Sequence, residues 1–166
     1  MRYIPLIICI LFFGVIEFVI IQKMSWDSLY SVDLLAILTI LLSLKFGWIR
    51  TGLIAFFCGF FQDIFSGSPL GIGSISFAAG AFISGSFRWI LFSEHLTTRL
   101  CMVFIGSIVI LLSRFICESL YYHQLLSFPI SLFFQTILPS AVCNVIVSLL
   151  IYPICKKFIF ISESHV

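Results

Sequence analysis

Gly59-Phe60-Phe61-Gln62-Asp63-Ile64-Phe65-Ser66-Gly67-Ser68-Pro69-Leu70-Gly71 is the stretch whose reading decides the fold. An apolar run beginning at Leu53 ends in the carboxylate of Asp63. A Ser-Gly-Ser-Pro turn follows, and a second apolar run starts behind Gly71 and Gly73. Glycine tolerates backbone angles other residues resist, and proline fixes its own. The turn chemistry predicts a tight reversal between two helices lying side by side. It reads either as an ordinary loop between membrane helices or as a polar feature, built on Asp63, at one membrane surface.

Composition places these helices in a bilayer. The 166-residue chain is 61% hydrophobic and 10% charged, with a mean hydropathy of +1.23. A soluble domain carries roughly one quarter charged residues, and one this size could not hide so much apolar surface from water. One domain is expected. A net charge of +2, with no basic run and no finger spacing, argues against nucleic acid as a partner. The cysteines at 9, 58, 101, 117, 143 and 155 form no C-x-x-C pair and read as small packing residues rather than metal or redox ligands. The first segment is long, carries Glu17 late and lacks a small-x-small cleavage site, so it does not read as a cleavable signal.

A helix needs roughly 20 apolar residues to cross the hydrocarbon core. The chain supplies six candidate spans, over 3–22, 33–48, 51–65, 72–92, 100–122 and 130–154. Residues 45–50 read as a short basic turn, and the third span is short. Gly80, Ser84, Gly85 and Ser86 invite close helix packing. Pro139 is expected to kink the last span, and Pro153 to sit near its end. Basic residues set the orientation. With six spans and a cytoplasmic N-terminus, Arg2, Lys45, Arg50, Arg88, Arg99, Lys156 and Lys157 lie inside, and only Lys23 lies outside. A re-entrant third segment would put Arg88 and Arg99 outside and break the asymmetry. Both termini are therefore expected in the cytoplasm, with Trp26 and Tyr30 at the outer interface.

In this topology the charged groups near or within the membrane gather toward the outer leaflet: Glu17, Asp33, Asp63, Arg114 and Glu118. A charge there costs several kcal/mol unless paired or hydrated. Arg114 and Glu118 are spaced i, i+4 and can touch. They either pair locally and snorkel outward, or Arg114 crosses to Glu17 or Asp63 and ties the bundle together. Asn144 and Gln135 are further candidates for the same cluster. No hydrolase, zincin or Walker signature is present, and Gly71-Ile72-Gly73 lacks the strand context of a dinucleotide site. His95, His123 and His165 lie far apart in loops or the tail. No enzyme, metal site or cofactor is expected.

Gly59, Asp63, Ser66, Gly67, Ser68, Pro69, Leu70 and Gly71 form a G-x-x-x-D-x-x-S-G-S-P-L-G pattern in a chain of about this length and number of spans. In this the chain resembles the rod-shape-determining membrane protein family MreD. The hydropathy layout is similar over nearly the full chain; the specific motif covers about a dozen residues. The resemblance implies an all-α integral membrane protein with six transmembrane helices, similar to the substrate-binding subunits of energy-coupling-factor vitamin transporters. It implies a non-enzymatic component of the bacterial elongation machinery in the inner membrane. The partners it implies are MreC and, in the wider complex, MreB, RodA and penicillin-binding protein 2. It assigns no role to Arg114 or Glu118. The alternative expectation is a transporter subunit binding a vitamin or metal near its outer face; a third is a structural membrane protein with other partners.

Overall fold

The computed structural model describes residues 10–19, 32–87, 96–122, 131 and 133–160, and beyond Pro153 only the backbone. Arg2, Cys9, Lys23, Trp26, Tyr30, Arg88, His95, His123 and His165 lie outside the described residues. The described residues contain helices and no strand: α1 (Ile10–Val19), α2 (Leu34–Phe46), α3 (Trp48–Ser66), α4 (Ile72–Ser86), α5 (Leu96–Tyr121) and α6 (Leu138–Phe160). A π-helical turn, Phe133–Ile137, leads into α6.

The centre of the fold is α2. Every residue from 34 to 43 is buried, which suits a helix that is apolar on all faces. The two polar side chains of this buried stretch are satisfied within the helix: Thr39 Oγ1 donates to the Ala36 carbonyl at 2.9 Å and Ser43 Oγ to that of Ile40 at 2.7 Å. Around it stand α3, α4, α5 and α6, and Phe13 of α1 joins the same core. The 13 residues of α2 rise only about 20 Å, against about 30 Å of hydrocarbon. Among the described residues, three helical segments are long and apolar enough to cross a membrane: Trp48–Ser66, Leu96–Tyr121 and Phe134–Pro153.

Glycines set the spacing of α4 against its neighbours. A Cβ on Gly59 of α3 would overlap the backbone carbonyl of Gly73 and lie 2.6 Å from the Ser74 nitrogen. One on Gly85 would lie 2.6 Å from the Trp48 nitrogen, and one on Gly106 of α5 would lie 2.7 Å from Ser84 Oγ. In a bilayer, where oil-to-oil transfer drives nothing, such close approach is the main source of helix–helix attraction.

Several boundaries differ from the sequence reading. The break expected over residues 45–50 is a single residue, Gly47 at φ 82°. Lys45 lies in the last turn of α2 and Arg50 in the first turn of α3, because both are good helix formers whose long stems can carry the charge outward. The third segment is consequently 19 residues long rather than 15. Residues 96–99, read as a polar loop, are the first turn of α5. Pro139 lies in the first turn of α6, and the irregularity falls just before it, in the π turn containing Gln135, whose carbonyl its ring would otherwise crowd. Pro153 lies inside α6, which continues to Phe160. Of the described cysteines, Cys58 is buried, Cys117 and Cys143 are half-buried, and all are unpaired. Cys101 is exposed, not a packing residue inside the chain: the outer face of a membrane helix meets hydrocarbon and needs no protein cover.

Candidate functional site

The helices alternate in direction, so one end of the bundle collects the α3–α4 turn and the start of α2. Two of the helices that begin there, α2 and α4, are capped by a carboxylate from the helix before. A helix N-terminus leaves backbone N–H groups without partners, and its dipole favours negative charge. Gly71, before α4, has no side chain to offer them. Asp63 of α3, fully buried, supplies it instead. The Gly71 N–H donates to Oδ2 at 2.9 Å, and the Gly73 N–H is shared between Oδ1 at 2.9 Å and Oδ2 at 3.0 Å.

The rest of the motif serves that contact. Gly59 lies one helical turn before Asp63 and lets the α4 backbone approach. Gly67, at φ 69°, ends α3 in the left-handed conformation, and Gly71, at φ 102°, launches α4. The Ile72 N–H donates to the Pro69 carbonyl at 3.4 Å. Ser66 Oγ lies 2.8 Å from Ser68 Oγ, and it reaches the Asp63 carbonyl at 3.4 Å. Leu70 stays exposed at the tip.

At α2 the same arrangement recurs with different residues. Glu17 of α1, 3% exposed, accepts the Leu35 N–H on Oε2 at 2.8 Å. The Asp33 N–H donates to Asn144 Oδ1 of α6 at 3.2 Å, and Asn144 Nδ2 donates to Ser107 Oγ of α5 at 3.3 Å. Gln62 of α3 joins α1 and the start of α2 to α5. Its Nε2 donates to Glu17 Oε1 at 2.9 Å and to Asp33 Oδ1 at 3.3 Å. Its Oε1 accepts from Arg114 Nη1 at 3.4 Å. Arg114 then donates through Nη2 to Ser68 Oγ at 3.1 Å and through Nε to Glu118 Oε1 at 3.2 Å. Glu118 is its carboxylate contact; its links across the bundle go to Gln62 and Ser68 rather than to Glu17 or Asp63. The ion pair is partly exposed, with side chains 21% and 40% accessible, so its own energy is modest. Its larger effect is to hold the turn against α5.

Sequence reasoning named Glu17, Asp63, Arg114, Glu118 and Asn144, but gave Gln62 no role. The available signal was an amide inside an apolar run, which needs partners wherever it is placed. Gln135 is exposed in the π turn. Among the described residues, no three His, Cys, Asp or Glu side chains are placed to hold a metal ion.

The motif and its geometry can be set beside known proteins. The model of one family, described as rod shape-determining protein MreD, matches residues 1–161. The chain belongs to the MreD family. No curated protein and no solved structure matches it in the same comparisons. The match runs almost the full length, so α1 to α6 all fall inside the MreD region. Membership makes this a shape-determining membrane protein, in keeping with its apolar helices.

Proposed function

We propose that the chain is a non-enzymatic scaffold of the bacterial cell-elongation complex, seated in the cytoplasmic membrane. It acts on cell shape and peptidoglycan synthesis through MreC and the cell-wall synthases, with MreB, RodA and penicillin-binding protein 2 in the wider assembly. The observation that carries this reading is how the polar groups at the turn end are used. A transporter subunit would keep helix N-termini open for an anionic substrate. Here Asp63 and Glu17 already accept the N–H groups of α4 and α2, which favours a rigid scaffold.

The test is crosslinking in native membranes followed by purification of the chain. MreC or a cell-wall synthase should come with it. Recovery of an ATPase module instead would support the transporter reading and defeat this one.

The proposal includes six spans with both termini cytoplasmic. Its support is the alternating helix direction and the clustering of Lys45, Arg50 and Arg99 at the end opposite the turn. A likeness to energy-coupling-factor subunits is part of the same proposal and rests on the count of six helices alone. Single cysteines at positions 68 and 95 check the orientation with an impermeant thiol reagent. Position 68 should label in intact cells and position 95 should not; the reverse pattern would invert the topology.

A further inference from the structure

Among the described residues, charge is divided between the two ends of the bundle. Glu17, Asp33, Asp63 and Glu118 lie at the turn end, with Arg114. Lys45, Arg50 and Arg99 lie at the other. Contacts along the helices fix this division. Gly47 joins the C-terminus of α2 to the start of α3, and Gly85 of α4 abuts Trp48. Antiparallel packing of α5 on α6 pairs Ser107 with Asn144 and, further toward the basic end, Arg99 with Tyr152.

Arg99 is held in a particular way. Its guanidinium carbon sits 3.5 Å from the centroid of the Tyr152 ring. Stacking of this kind occupies the face of the guanidinium and leaves the N–H groups at its edge, the fork that matches a phosphate. Among the described residues no carboxylate pairs with Arg99 or with Arg50. Trp48, exposed two residues before Arg50 at the start of α3, is the aromatic type that sits at the headgroup level.

We propose that this end of the bundle binds anionic phospholipid, with the Tyr152-stacked Arg99 holding the headgroup phosphate and Arg50 adding charge from α3. Charge complementarity commits the surface to lipid. Its cations lie at the ends of apolar helices, at the depth where headgroups are, and an anionic leaflet attracts each such residue. The inference needs only that this end meets a bilayer surface; it holds whichever side that is, and it does not rest on the scaffold reading.

The experiment uses the full chain in detergent, titrated with phosphatidylglycerol or with phosphatidylcholine and read by native mass spectrometry. Phosphatidylglycerol should be retained preferentially. Arg99→Gln and Arg50→Gln should each weaken that preference by about fivefold, the contribution expected of one basic residue near an anionic surface. Arg99→Lys should weaken it too, because a lysine offers neither the stack nor the fork. Tyr152→Leu should act in the same direction as Arg99→Gln. Arg50 is exposed near a helix end, so its variant should fold even if an Arg99 variant does not. Equal retention of both lipids, or unchanged preference in Arg50→Gln and Arg99→Lys, would overturn the proposal. Inorganic phosphate and an acidic peptide are the competitors. Displacement of the lipid by millimolar phosphate would mean a free-anion site, and tighter capture of the peptide would mean a protein-docking surface; either defeats the lipid assignment.

Discussion

Replacing Gly59 by alanine is expected to destabilise the folded chain by about 1–3 kcal/mol, the usual cost of overpacking a well-filled contact. The sign is informative because helix propensity runs the other way: alanine is favoured over glycine by about 1 kcal/mol inside a helix. The added methyl would meet the backbone of Gly73 and Ser74, which cannot turn aside as a flexible side chain can. Relief requires α3 and α4 to separate, and separation pulls the Gly73 N–H from Asp63. The internal controls are Gly14 and Gly52, where an added Cβ meets nothing within 4 Å. Gly14→Ala and Gly52→Ala should be neutral or slightly stabilising. Thermal unfolding in detergent measures all of them. A Gly59→Ala protein as stable as Gly52→Ala would mean that the α3–α4 contact is looser than described here.

Asp63→Ala should cost about 3 kcal/mol. It removes a carboxylate acceptor and leaves the buried Gly73 N–H and the half-buried Gly71 N–H without it, and a hydrogen bond to a charged group contributes about 1.5–3 kcal/mol. Asp63→Asn should fall between alanine and the parent. One oxygen remains to accept, while the amide NH2 opposes the other donor. In cells the same order is expected for rescue of cell shape and for recovery of the complex. Normal stability and normal shape in Asp63→Ala would remove any role for this carboxylate.

The α3–α4 reversal was legible because its residues carry local rules: Gly67 and Gly71 permit left-handed backbone, and Pro69 fixes its own angle. The apolar helices were legible from composition. What Asp63 does was not, since its donors lie eight and ten residues on, across a turn, and capping by a preceding helix leaves no fixed spacing. Glu17 shows the same difficulty over 18 residues. Gln62 was missed because an amide bridging Glu17, Asp33 and Arg114 depends on how four segments pack. The starts of the helices at Arg50 and Arg99 were misplaced because charge was read as a break between spans, whereas the long stems of arginine let it sit within a membrane helix near its end.

The role of Asp63 as the cap of α4 is tested most directly by backbone amide exchange at Gly71 and Gly73 in detergent-solubilised protein. Both amides should exchange slowly in the parent. Both should lose protection in Asp63→Ala, while the Ile37 amide, bonded to the Asp33 carbonyl at 3.1 Å, keeps its own. Fast exchange at Gly73 in the parent, or unchanged exchange in Asp63→Ala, would contradict it.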